Sequence, residues 1–155
     1  ANEVLAAMIR SEVSADYSDE YLAKACGLMK ERVETVGDIP KMGDFLFGSP
    51  TEYDAKMIRK KYKEDNDPHF IALTESLGVI ETFDAESTQS AIKGYIGDNE
   101  LSFGAIMPVL RLATSGTMKG PDLFEMMELL GRDEVLVRMR DGLKEIKKIK
   151  SEVRS

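Results

Sequence analysis

Arg111 and Lys119 are the only charged side chains between Leu101 and Pro121, and no aspartate or glutamate falls in that stretch. The chain around it is acidic, with 28 Asp and Glu against 21 Lys and Arg and a formal charge of -7. A strip without carboxylates in such a chain suits the approach of a polyanion. A buried helix with a Gly-rich exit has the same composition. The GPDLFE run from Gly120 to Glu125 follows at once. Gly120-Pro121 is expected to fix an exposed turn, and the residues after it would offer N–H groups at a helix start. Asp122 and Glu125 oppose a phosphate there, so a base edge suits this corner better than a backbone phosphate. Arginine fits that task because its planar guanidinium donates two hydrogen bonds to one base edge or stacks on a ring. Unpaired RNA loops are read in this way, through splayed bases, side-chain forks and backbone groups at tight turns. A plain helix–turn–helix corner is the alternative.

The rest of the chemical inventory is thin. His69 is the only histidine, just after a turn, and metal sites need several suitable ligands. Cys26, the only cysteine, falls within an amphipathic stretch with no histidine near it in sequence, and reads as a small core residue. Carboxylates such as Asp19-Glu20 and Glu64 to Asp67 cluster in helix starts and turns, where solvation and capping explain them. No glycine loop of the phosphate-cradling type occurs. The chain therefore reads as a binding module rather than a free-standing enzyme. A helical module that docks a partner protein along a Met-rich face such as Met126-Met127 is the competing reading, although Met at helical spacing is usually core packing.

At 155 residues the chain can bury a sizeable core as one domain or two small subdomains. There is no Trp, so that core draws on aliphatic residues, nine Met, six Phe and five Tyr. A single cysteine excludes an intramolecular disulfide and suits a reducing compartment. No apolar run approaches the roughly 20 residues that span a bilayer. The first residues, ANEVLAAMIR, are too short and polar for a signal peptide. They also lack an initiator Met, which fits a processed product or a piece of something longer. Two basic groups, Lys56 to Lys63 and Arg138 to Lys150, lie on predicted helices. Solvated faces and helix C-terminal dipoles account for such groups.

Helical periodicity runs through almost the whole chain. Tyr21, Leu22, Ala25, Leu28, Met29, Val33 and Val36 step by three and four, predicting a helix over 18–36 with Ser18 as N-cap and Gly37 as its end. Pro40 opens a short helix through Phe45 and Leu46, which Gly48 to Pro50 break. Further helices are predicted over 53–63, over 69–79 with Phe70, Ile71, Leu73 and Leu77 buried, and over 85–96. Pro108 lies in the first turn of a helix or kinks one, and that helix ends at Ser115-Gly116. Gly120-Pro121 starts the next, with Leu123, Phe124, Met127 and Leu130 inward. A last helix runs from Asp133 to about Val153. No strand alternation or repeat appears. The expected class is all-α, in two helical subdomains, 1–66 and 67–155, joined near Asp65 to Pro68.

The C-terminal half, MPVLRLATSGTMKGPDLFEMMELLGRDEVLVRM, resembles the end of bacterial glutamyl-tRNA synthetases. It shares a Pro-Leu-Arg-like step, a small-residue turn, a Gly-Pro-x-Leu-Phe-Glu helix and a Leu-Leu-Gly-Arg ending. The segment LMKERVETVGDIPKMGDFLF is similar to that family's Met-x-x-Arg helix and the short Phe-Leu-Phe segment after it. The resemblance covers nearly the whole chain and implies an all-helical anticodon-binding region. The HIGH-like and KMSKS-like motifs of the catalytic part are absent, so the resemblance implies a piece of a class I aminoacylating enzyme, inactive by itself. It implies no cofactor for this chain, with ATP and Mg belonging to the catalytic domain. It implies a glutamate-accepting tRNA as partner, no DNA or membrane, a monomer and a cytoplasmic location. By the resemblance, Arg32 reads the third anticodon base, while Arg111 lies beneath the loop and contacts its first two bases. Gly120, Pro121, Asp122 and Leu123 form the turn that holds those two bases. Lys93, in IKGY, stands where some members carry an arginine near the loop, and keeps its charge without the fork. Gly120 stands where some members have a hydrogen-bonding side chain. From its own neighbours, Glu31 and Glu34, Arg32 would read as a solvated helix residue with local ion pairs.

Overall fold

Caps and helix stops set most of the elements. In the computed structural model, which describes residues 2–152 apart from the side chains of Val36 and Lys41, α1 spans Asn2–Ile9 and α2 spans Asp19–Met29. The short α3 (Ile39–Met42) and α4 (Ala55–Lys61) are followed by α5 (Asp67–Val79) and α6 (Ala85–Asp98). Then come α7 (Phe103–Ser115), α8 (Leu123–Leu130) and α9 (Arg132–Glu152). Single 3-10 turns at Arg10–Glu12, Val36–Asp38, Asp44–Leu46 and Glu64–Asn66 link the first five. No strand occurs among the described residues, so the all-α expectation holds. Val153, expected at the end of the last helix, and the Val36 side chain lie outside the described residues.

The N-caps are the ones short polar side chains should make. Ser18 accepts from the Tyr21 N–H at 3.0 Å, Asp54 from Met57 at 3.1 Å and Asp84 from Ser87 at 2.7 Å. Ser102 caps α7 and Asp122 caps α8 in the same way. Gly116 closes α7 in the left-handed region, at φ 77°, donating its N–H to the Leu112 carbonyl at 2.8 Å. A side chain there would also run into the Glu52 carbonyl, so this stop requires glycine twice over. Pro108 sits within α7, well past its first turn.

Several expectations are corrected. The helix predicted over 18–36 ends at Met29, and residues 30–35 fold back through a turn in which the Arg32 N–H bonds the Met29 carbonyl at 2.9 Å. Met29 packs over Gly43, so tertiary packing turns the chain where propensity alone would continue the helix. The helix expected from Gly120-Pro121 begins instead at Leu123, leaving 120–122 as the corner itself. Pro68 lies in the first turn of α5, and Ile71, expected on its buried face, is half exposed. α1 lies outside every helix the periodicity predicts, yet it packs along α2 and buries Ala6 and Ile9.

One apolar cluster runs through the molecule, from Ile9 and Leu22 to Met139 and Ile146. Helix α9 is its spine, carrying α4, α5, α7 and α8. Where α9 crosses α7 the backbones nearly touch, because a Cβ on Gly142 would lie 2.5 Å from the Ala113 carbonyl oxygen. Arg138, expected on a solvated face, is instead 2% exposed. Its guanidinium donates to Glu134 Oε1, the Thr114 carbonyl and the Gly48 carbonyl, each at 2.9 Å. The charge is tolerated there because every face of the fork has an acceptor.

Candidate anticodon-loop interface

Two arginines from distant parts of the chain meet at one corner. The turn after α2 carries Arg32, whose Nε donates to the Gly120 carbonyl at 2.7 Å across 88 positions of sequence. Arg111, two turns from the start of α7, donates from Nη1 to the Pro121 carbonyl at 2.8 Å. Consecutive carbonyls of the 120–121 turn thus hold both side chains. The early end of α2 makes this reach available, since it puts Arg32 in a turn instead of on a helix flank. The ion pairs expected between Arg32 and its glutamate neighbours do not form among the described residues.

These bonds leave donors to spare. A guanidinium carries five N–H groups. With Nε occupied, Arg32 keeps the Nη1/Nη2 edge, and its side chain is exposed. With Nη1 occupied, half-buried Arg111 keeps the side edge formed by Nε and Nη2. Burial lowers the Arg111 pKa, the Asp122 carboxylate opposes that shift, and the positive charge of Arg32 adds to it. Two like charges are therefore held close at a corner, with one carboxylate to temper them and no ion pair to cancel them among the described residues. Such an arrangement suits the electron-rich acceptors of a base edge.

The corner is shaped from below. Gly120 has a positive φ of 134°, and a Cβ on it would lie 3.1 Å from Phe45 Cζ and 3.8 Å from Arg111 Nη1. Phe45, on the 3-10 turn Asp44–Leu46, is buried and forms the floor under the glycine. The same ring lines a neighbouring cavity of about 450 Å³ with Asp44, Tyr53, Ser115, Gly116 and Thr117. Pro121, expected to be exposed, is buried, as is Leu123, while Asp122 is exposed and spends an oxygen capping Glu125 N–H at 3.0 Å. The free N–H groups expected at this helix start are accordingly fewer than sequence suggests.

Of the residues singled out in the sequence, Arg32, Arg111, Gly120, Pro121, Asp122 and Leu123 come together at the corner. Lys93 does not join them. It lies exposed on α6, with no hydrogen bond or ion pair to the corner among the described residues. Phe45 escaped the sequence reading as a site residue. Its place within a Phe-Leu-Phe segment was the signal, but only the fold puts that ring beneath Gly120.

The other inventory residues are structural. His69 Nδ1 and the Tyr95 hydroxyl share a hydrogen bond of 2.8 Å that ties α5 to α6. Cys26 is buried, which pushes its thiol pKa up and away from nucleophilic use. No cluster able to hold a metal ion occurs among the described residues. Met126 and Met127 are fully buried, so the Met-rich face offered as a docking surface belongs to the core. No helix is long and apolar enough to cross a membrane among the described residues.

The sequence profile of the family described as "Anticodon binding domain" matches residues 3–143. The chain is 35% identical to a glutamate–tRNA ligase of Christiangramia forsetii over 95% of its own length and 29% of that protein. It is 38% identical to the glutamate–tRNA ligase of Porphyromonas gingivalis strain W83, over 81% of this chain and 25% of that one. The crystal structure of a glutamate tRNA ligase from Elizabethkingia meningosepticum, in complex with its amino acid, superposes with a TM-score of 0.85. It shares 31% identity and covers 94% of this chain and 29% of its own. The chain thus spans a quarter to a third of the curated relatives it matches. With a profile match over most of its length and the same helical arrangement, the chain belongs to the anticodon-binding-domain family.

Proposed function

We propose that this chain is the anticodon-loop recognition module of a glutamate–tRNA ligase. Its partner in this reading is a glutamate-accepting tRNA. The attachment of glutamate, with its ATP and Mg, is the work of that enzyme's catalytic domain, outside these 155 residues. The module acts in the cytoplasm and as a monomer. Arg32 reads the third anticodon base, and Arg111, with the Gly120 to Leu123 turn, holds the first two. Lys93 contributes charge near the loop. The observation that carries this reading is the convergence of Arg32 and Arg111 on consecutive carbonyls, each keeping a guanidinium edge that bonds nothing among the described residues.

The test is an equilibrium titration of the chain with glutamate tRNA and with tRNAs altered at single anticodon positions. Arg111→Ala and Arg32→Ala each weaken cognate binding by about 1–3 kcal/mol, by analogy with bidentate base contacts in duplexes. Each also flattens discrimination at its own base, while circular dichroism stays that of the parent. Equal binding of all these RNAs by parent and variants would count against the assigned roles.

A further inference from the structure

Two basic segments far apart in sequence meet at one end of the molecule. α4 and the residue pair after it carry Lys56, Arg59, Lys60, Lys61 and Lys63, with no acid between Asp54 and Glu64. α4 packs against α9, and Lys150 Nζ donates to the Arg59 carbonyl at 2.7 Å, which brings the basic end of α9 to the last turn of α4. Residues 55–63 and 141–152 together hold nine Lys and Arg against three acids, in a chain whose acids otherwise predominate. Two of those acids, Asp141 and Glu145, lie near Tyr53 at the approach to α4, and Lys147 is engaged by Asp67 at 2.7 Å. No ion pair engages Lys56, Lys60, Lys63 or Lys148 among the described residues.

Helix electrostatics explain only part of this charge. Arg59, Lys60 and Lys61 complement the C-terminal end of the α4 dipole. Lys56 sits in the first turn, where a cation opposes the dipole, and Lys63 lies past the helix end. The surface is also within reach of the corner. The Asp54 N–H bonds the Gly116 carbonyl at 2.8 Å, joining the start of α4 to the turn that leads to Gly120. Four extended residues and a seven-residue helix put the far end of α4 at most about 30 Å from Gly120.

We propose that the α4–α9 end contacts the phosphodiester backbone of the stem of the same RNA whose loop binds at the corner. This rests on the anticodon-loop reading above and extends it to a second surface with a different task. Phosphate contacts hold an RNA in place without reading its sequence, and they release counterions. Loss of this surface therefore alters the salt dependence of binding and spares base discrimination.

The experiment is a tRNA titration of the chain over a series of salt concentrations. The variant combines Lys56→Gln, Lys60→Gln and Lys148→Gln, since Gln has nearly the helix propensity of Lys. The slope of log affinity against log salt should become shallower by about two units. The affinity ratio between native and anticodon-altered tRNA should stay that of the parent. Arg replacements at the same three positions should restore the slope, and Lys24→Gln, on α2 and paired with Glu20, should leave it unchanged. An unchanged slope in the triple Gln variant overturns the proposal, including the case in which an acidic protein occupies this face. If the parent shows no anticodon discrimination, the loop reading fails, while a changed slope still supports the surface.

Discussion

Arg138 and Arg111 show how the same side chain type takes opposite roles according to its acceptors. Arg138 has three acceptors, one for each nitrogen of its fork, so it fastens α9 to the end of α7 and to the Gly48 loop. Arg111 spends one donor and keeps the rest. Arg138→Met leaves the buried Thr114 carbonyl and the part-buried Gly48 carbonyl without this donor, while the partly exposed Glu134 keeps the Ser49 hydroxyl at 3.1 Å. At about 1–3 kcal/mol for each orphaned acceptor, the change costs about 3 kcal/mol. A thermal melt should record a Tm lower by roughly 6–12 °C for a chain of this size. Glu134→Gln should cost much less, because both carbonyl bonds persist. Equal melting of parent and Arg138→Met would show that this hub carries no stability. Neither role is visible at the level of residue type: both arginines lie on helices between apolar neighbours, and sequence assigned Arg138 to solvent.

At the scale of single elements, local chemistry decides most outcomes. Asp84 caps α6 by accepting the Ser87 N–H at 2.7 Å, and hydrogen bonds from the Ser87 backbone and side chain hold its carboxyl below the ordinary value of 3.8. A carboxylate whose folded pKa is depressed stabilises the fold above its unfolded pKa. That contribution fades as pH falls through the lowered folded value. The Tm difference between the parent and Asp84→Ala should therefore be constant near neutrality. It should begin to shrink as pH approaches the ordinary carboxylate value and reach its minimum below the folded one. A difference that does not vary with pH would mean the carboxylate charge is irrelevant to the cap. Caps and stops of this kind were legible in advance. Ser18, the Gly116 stop and the start of the helix near Ala85 all depend on residues within a turn of one another. The end of α2 was not legible, because Met29 seats on Gly43 through packing that no window around residue 30 contains.

For the molecule as a whole, the crossing of α7 and α9 relates the corner to the spine. Gly142 lies against Ala113, two residues from Arg111, so a Cβ there meets backbone that cannot rotate away. Gly142→Ala gains about 1 kcal/mol of helix propensity and meets an overpacking cost of about 1–3 kcal/mol. The expected net effect is a lower Tm together with weaker tRNA binding, since the helix that bears Arg111 must shift. A melt and a tRNA titration on the same variant check both. Unchanged values in both would refute the claim that this contact sets the position of the corner.

Periodicity, capping residues and glycine stops operate over three or four positions, so the residue order alone determined the helical class and most helix starts. Arg111 and the Gly120–Pro121 turn, ten positions apart, also stood out by their freedom from carboxylates. The resemblance pointed to Arg32, but the fold decided what it touches: the Gly120 carbonyl, 88 positions away. Burial of Arg138, the Phe45 floor and the meeting of α4 with α9 were likewise settled only by which helix faces pack together. Such contacts join segments with no local relation, and their free energy is realised only when the whole core has formed.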